Sequence, residues 1–498
     1  MGTLRRMSET NSIVTSPVSA PRSDAAWVLV PAVVMSLGWG LRGYIGGGPY
    51  GAMIPGALVS LILCQFLGYR PAASAVVVAF GTLGVGFGGN MTYGQTLGLI
   101  RGSETFFWGL TGTTLKGAVW GLLGGAVLGV GFAARHMAWR HLILGFACMI
   151  VAVIIGIHFI NQPRWENFYF SDPVNEPRPE SWGGFLLGGL ALLAYMRLFQ
   201  PNSSWIPERF AAYGTIGGGI GFGFGSLFLT LQVHVSETWN WMPFWKYMEF
   251  TFGFLFGAAL GLCALHLRDR LAPLGTTCNH SPALAAPFGG QRDVKWALSF
   301  LIATAVVFGV FCVQYLVVRY LLPVLRELDT ADIRRTSTEV LAGFMGVGCV
   351  LMLLSRRWQT VAWQVAVSVT IVAAAIDWQR DLFPRGEIRM SAFHRGLFVA
   401  SMALLSIVTV LIWQRRKVPK LMSLFLFATC VLMGIGYMMG LARWEIWRPD
   451  VEAEAVAGGR GPFLWQEFRS EIVVHFIFTT LFLLSLWAGV KERRRSLS

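Results

Sequence analysis

Apolar residues in this chain come in blocks of about 20, longer than the apolar face of a surface helix and long enough to span a bilayer. The blocks recur from Ala25 to the C-terminus, near 25–41, 51–68, 72–98, 106–132, 141–160, 182–198, 209–232, 246–267, 295–322, 338–355, 360–377, 392–413, 419–441 and 471–490. A block of that length matches a hydrocarbon core roughly 30 Å thick, where only a helix satisfies its own backbone hydrogen bonds within one segment. The pattern predicts an all-α fold, a polytopic integral membrane helical bundle of about 14 transmembrane helices.

The glycines add a second layer to this pattern. Ala79–Thr105 reads AFGTLGVGFGGNMTYGQTLGLIRGSET and Ala212–Thr238 reads AYGTIGGGIGFGFGSLFLTLQVHVSET. A shift of 133 superposes Ala79, Gly81, Thr82, Gly84, Gly86 and Gly88 on Ala212, Gly214, Thr215, Gly217, Gly219 and Gly221, and carries Ser103, Glu104, Thr105 and Trp108 onto Ser236, Glu237, Thr238 and Trp241. One residue is then lost, and GLLGGAVLG from Gly121 falls on GFLFGAALG from Gly253. A shared register that includes Ser-Glu-Thr and a tryptophan points to an internal duplication. Spans 2–4 and 6–8 would be its two copies, in the same orientation and therefore parallel, over about 46–132 and 179–265.

The expected organisation is a tail at 1–24, a glycine-rich eight-helix half at 25–267, a linker loop at 268–294, a six-helix half at 295–490 and a basic tail at 491–498. Pro201–Glu208 reads as a short link between spans.

Composition agrees with a membrane protein. Residues are 54% hydrophobic and only 13% charged over 498 positions, too little polar surface to cover a soluble globule of this size. The net charge of +14 raises the question of nucleic acid, but the basic residues are sorted by span. Arg135 and Arg140, Arg268 and Arg270, Arg356 and Arg357, Arg415–Lys417 and Lys491–Arg495 follow even-numbered spans. Glu166, Asp172, Glu176, Glu180, Asp450, Glu452 and Glu454 follow odd ones. That is the positive-inside pattern, so both termini are expected in the cytoplasm, the chain in the inner (plasma) membrane, and nucleic acid drops out as a partner.

The first span lacks an A-x-A cleavage site, so Arg5, Arg6 and Arg22 read as a cytoplasmic tail rather than a signal peptide. Six of seven cysteines fall inside spans and the eight histidines form no HxxxH pair. No disulfide framework, metal site or cofactor is expected.

Candidate chemistry lies where polar residues interrupt the apolar blocks. Gly88, Gly89 and Asn90 weaken span 3, and Asn90, Thr92, Tyr93 and Gln95 would be costly against lipid, so they are expected to point inward. Close helix packing is the plainer reading of the glycines themselves. Gly46, Gly47 and Gly48, followed by Pro49 and preceded by Arg42, can form an anion cradle at a helix N-terminus or simply a hairpin. Arg42, Arg164, Arg319, Arg380 and Arg443 recur at the outer ends of odd spans, among aromatics such as Trp241 and several carboxylates. Such residues snorkel and anchor, and they also suit an anionic or sugar-bearing group.

Lys116 lies deep in span 4 and needs a partner; the repeat offers Glu249 at the matching position. The function expected is a transporter or flippase acting on a small-molecule or lipid-linked substrate. The alternatives are a membrane-embedded transferase using Glu104, Glu237 or Asp377 as general base, and a scaffold subunit without chemistry. Beyond the lipid bilayer, no partner or oligomeric state follows from the sequence.

Overall fold

The structure, a computed structural model, describes residues 23–44, 48–69, 71–161, 168–172, 178, 180–239, 242–276 and 333–358, with a few single positions beyond. Helix accounts for 87% of it, and no strand occurs among the described residues. In chain order the helices are α1 (Asp24–Tyr44), α2 (Gly48–Phe66), α3 (Pro71–Gly88), the short α4 (Gly94–Leu99), α5 (Phe106–Ala133), α6 (Trp139–Phe159), α7 (Trp182–Phe199), α8 (Pro201–His234), α9 (Phe244–His266), α10 (Arg268–Thr276) and α11 (Ile333–Arg357).

Six of these (α1, α5, α6, α7, α8 and α9) are long and apolar enough to cross a membrane, and α2 and α3 carry the shorter apolar stretches 51–66 and 73–88. Apolar side chains on the outside fit lipid contact: Ile216, Ile220 and Phe224 form an exposed stripe on α8, and Ile143, Leu144, Val151 and Ile155 do so on α6. The chain is membrane-embedded and helical.

Helix α5 is the centre of the bundle. It lies against α8 on one side and α3 on another; α1 packs on α9 and α2, and α6 pairs with α7 at the periphery. The α5/α8 contact is backbone on backbone. Gly117, Gly121, Gly125 and Gly129, one per turn, meet Gly218, Gly214, Phe210 and Pro207 in reverse order, so the helices run antiparallel. A methyl group at Gly117 or Gly121 would overlap the carbonyl of Gly218 or Gly214, and the reverse holds as well. Where lipid removes the hydrophobic drive between helices, such close approach supplies dispersion and weak Cα–H···O contacts instead.

Helix α9 meets α1 the same way. Gly253, Gly257 and Gly261 face the backbone of Met35, Pro31 and Trp27. Between α3 and α5, Gly84 faces Val127 and Gly88 faces Trp120; between α8 and α9, Gly217 faces Ala259 and Gly221 faces Phe252.

The structure departs from the sequence reading in three places. The block at 72–98 is not one helix: α3 ends at Gly88, residues 89–93 leave helical geometry, and α4 resumes at Gly94. Pro201–Glu208 is no link but the first two turns of α8, because Pro201 occupies the helix start where its missing N–H costs nothing. The linker region opens with a helix, α10.

At the opposite end of α2, Gly68 takes a φ of 68°. Its N–H donates to Gln65 O and that of Tyr69 to Cys64 O, which closes the helix in a Schellman turn. The Tyr69 hydroxyl then donates to Leu271 O at 2.8 Å, pinning α10, and burial pushes this phenol above its usual range. Of the other expected blocks, 338–355 falls within α11, whereas 295–322, 392–413 and 419–441 lie outside the described residues and only single positions of 360–377 and 471–490 are described.

The glycine seam makes a direct prediction. Gly121→Ala forces a Cβ into a backbone carbonyl that cannot rotate away, so it should destabilise by at least the 1–3 kcal/mol typical of overpacking. Gly98→Ala, whose Cβ would meet open space, should be neutral or slightly stabilising. Thermal unfolding of the detergent-purified variants checks the contrast.

Candidate functional site

The break after α3 is built by lack of space. A side chain at Gly88 would run into the Trp120 ring, and one at Gly89 into Gly48 O and the Pro49 backbone at the start of α2. The chain leaves the helix through tight turns, with Gly89, Asn90 and Met91 N–H donating to Gly86, Phe87 and Gly88 carbonyls, and the Asn90 side-chain amide donating to Phe87 O at 3.1 Å. Asn90, Thr92, Tyr93 and Gln95 are all half-buried.

Two cations hold the broken segment. Lys116 of α5, 1% exposed, donates to Thr92 O at 2.8 Å, Thr96 Oγ1 at 2.7 Å and Glu180 Oε1 at 2.8 Å, so all three ammonium protons are used. Glu180 lies just before α7, and its side chain is fully buried. It also accepts from Ser171 Oγ at 2.8 Å and from Phe170 N–H at 3.2 Å, while Thr96 donates to Phe170 O. The Lys116 ammonium sits 5.9 Å from the centre of the Phe170 ring. A buried pair this well supplied with hydrogen bonds offsets much of its own desolvation. It clasps the α3–α5 connection, α5 and the α6–α7 loop together, and Gln95 adds a second tie by accepting from Asp172 N–H.

Arg42, near the end of α1, is the second cation. It is 3% exposed and donates from Nη2 to the Tyr93 hydroxyl at 2.5 Å. Its guanidinium carbon lies 5.1 Å from the Trp39 ring and 5.3 Å from those of Tyr93 and Trp120. Trp39 and Trp120 meet edge to face, with Phe252 against both. The Trp120 indole donates to Val85 O, but Arg42 Nε and Trp39 Nε1 are buried with no acceptor among the described residues. No carboxylate pairs with Arg42 among the described residues.

The expected Lys116–Glu249 pair is not formed. Lys116 reaches Glu180, and Glu249 is held within its own helix by Lys246 at 2.9 Å, one turn away, and by the Trp245 indole at 3.2 Å. Each charge has a nearer partner where its own helix packs: Lys116 of α5 reaches the residue just before α7, and Glu249 lies one turn from Lys246 on α9. Among the other expected residues, Glu104 is exposed in the loop before α5. Glu237 begins a short 3-10 turn, Glu237–Trp239, and its side chain lies outside the described residues, as do Arg164, Trp241, Asp377 and Arg380. Among the described residues no cluster of His, Cys, Asp or Glu is placed to hold a metal ion.

The structure therefore gathers Arg42, Asn90, Thr92, Tyr93, Gln95 and Lys116 around one helix break. Sequence reasoning missed Glu180, Thr96, Trp39 and Trp120. Glu180 was one of several loop acids with nothing local to single it out; Trp39 could have been found from its place one turn before Arg42 on the same helical face. Compared with known proteins, the chain matches no family model, no curated sequence and no solved structure.

The clasp predicts a selective rescue. Lys116→Glu and Glu180→Lys should each destabilise the purified protein by about 3–5 kcal/mol, the usual cost of stranding one member of a buried pair. The double swap should recover a good part of that loss, whereas Lys116→Glu combined with Glu249→Lys should show additive damage in the same unfolding assay.

Proposed function

We propose that the chain is a multi-pass carrier, a transporter or flippase, for a polar small molecule or lipid-linked substrate bearing an anionic or sugar group. In this reading about fourteen spans cross the inner membrane, with both termini cytoplasmic, as the charge sorting suggests. The observation that carries it is the interrupted helix at 89–93, whose freed backbone and polar side chains turn inward against two buried cations. Discontinuous helices of this kind build solute sites at membrane depth, because irregular backbone is tolerated there only where protein or a polar cavity covers it.

The proposed duplication fits the same picture. Gly84 against Val127 corresponds to Gly217 against Ala259, and Gly88 against Trp120 to Gly221 against Phe252. The α3 positions map onto α8 by 133 (84 to 217, 88 to 221), and the α5 positions onto α9 by 132 (127 to 259, 120 to 252). That one-residue difference is the deletion already present in the sequence alignment of the two copies. Carriers are commonly built from two such repeats. One copy keeps a continuous helix, α8, where the other is broken, so the site would belong to the first copy alone. Of the bases the transferase alternative would use, only Glu104 has a described side chain, and it lies exposed in the loop before α5.

Reconstitution into liposomes tests the proposal. Two arms are read: dithionite bleaching of a fluorescent anionic phospholipid, and uptake of a panel of labelled organic anions and sugar phosphates. At least one arm should respond above protein-free vesicles, and Asn90→Leu or Gln95→Leu should abolish that response while leaving insertion intact. Silence in both arms from a folded protein, or full activity of both variants, would contradict it.

A further inference from the structure

The cage around Arg42 is unusual in what fills it. Three aromatic rings arranged around one point ordinarily receive a cation from outside the protein. Here the cation is the protein's own. Trp39, Tyr93 and Trp120 surround the guanidinium within 5.1–5.3 Å, and the stem of the side chain lies against Gly51, in the first turn of α2. Ring faces stabilise the charge but accept none of its in-plane N–H bonds. Of those, one is used by Tyr93, while Nε is buried without an acceptor among the described residues.

A second donor is stranded beside it. Trp39 is 1% exposed and its indole N–H has no acceptor among the described residues, although its ring packs against Trp120 and Phe252. Trp39 and Arg42 are three residues apart on α1, hence on one helical face. Two buried donors without acceptors, one on an unneutralised cation, are costly features unless something completes them. The other cations inside the bundle show how the fold treats a charge it keeps closed: buried Lys116 has three acceptors and half-buried Lys246 has its carboxylate.

We infer that Arg42 and Trp39 form an occluded site for a single oxyanion, a phosphate or carboxylate group, bound at the edge of the caged guanidinium. A stacked guanidinium presents its N–H edge as a fork that matches such a group, and the rings fix the fork's orientation. The partial positive charge at the start of α2, against which the arginine stem rests, favours the same sign of ligand. The tie from Arg42 to Tyr93 links occupancy of this site to the broken segment. This inference rests on the carrier reading only for its role; it names the charged group that such a carrier would recognise.

The experiment uses the full chain, purified in non-ionic detergent for inorganic phosphate and acetate titrations at constant ionic strength. The same chain in nanodiscs of phosphatidylglycerol is compared with phosphatidylcholine. The site predicts a saturable rise in thermal midpoint with phosphate or acetate if the group comes as a free ion, or with phosphatidylglycerol alone if it comes as a lipid headgroup. Arg42→Gln should remove that rise. Because it could also impair folding, Trp39→Phe serves as the second variant: it keeps the ring face but lacks the N–H, and should weaken binding roughly tenfold, the effect of one hydrogen bond to a charged group. Arg101→Gln, an exposed arginine bonded to Gln232, should bind as the parent does. No rise with either anion or lipid, or unchanged binding in both Arg42→Gln and Trp39→Phe, overturns the site. Anion binding without flux would leave the site standing and remove the carrier reading; flux unaffected by Arg42→Gln would do the reverse.

Discussion

The contact between α5 and α8 is centred on backbone rather than on side chains. Four glycines of one helix lie on Gly218, Gly214, Phe210 and Pro207 of the other, close enough that carbonyl oxygens occupy the space where Cβ atoms would be. In water such an interface would bury little, but between helices already in lipid the hydrophobic term is nearly absent and close backbone packing is what remains to distinguish one partner from another. Everything near the site is positioned from this seam. Lys116 immediately precedes the seam glycine Gly117, so the depth and heading of its side chain follow from where α8 sits. Trp120, one turn further, fills the space that Gly88 leaves and forms one wall of the arginine cage.

The charges inside the bundle divide by how completely they are satisfied. Lys116 and Glu180 form a closed unit in which nearly every donor and acceptor has a partner, the arrangement expected of a structural clasp. Lys246 and Glu249 form a local pair along α9. Arg42 lies in between: electrostatically sheltered by rings, yet short of acceptors. Of the two cations buried among the described residues, Lys116 is completed and Arg42 is left open beside the interrupted helix.

Much of the architecture could be read from the chain, because bilayer thickness sets the length of an apolar block and leaves a clear trace. The ends of α1, α5, α6, α7 and α9 fall within a few residues of the expected blocks. The break at Gly88 was announced by Gly88, Gly89 and Asn90, although the block around it looked continuous. What the chain did not announce was partnership across distance. The repeat register suggested Glu249 for Lys116, since equivalent positions are easy to see in sequence; Glu180 sits 64 residues away in a loop of similar acids, and only the packing of α7 on α5 brings it in. Pro201–Glu208 read as a link; proline begins helices as well as ending them, and the choice depended on α8 reaching Gly129 of α5 through Pro207.

The site depends most on the antiparallel pairing of α5 with α8 in the membrane. Gly219 offers a direct measurement, because a Cβ there would lie 3.1 Å from the Ala118 Cβ, slightly inside the roughly 3.5–4.5 Å that a disulfide spans. In a full-length chain with its native cysteines replaced, Ala118→Cys with Gly219→Cys should oxidise almost completely in native membranes, as read by mass spectrometry of the linked peptides. Ala118→Cys with Ile216→Cys, whose second position faces outward on α8, should not. Equal yields from the two pairs, or no disulfide from the first, would contradict the seam and the site built upon it.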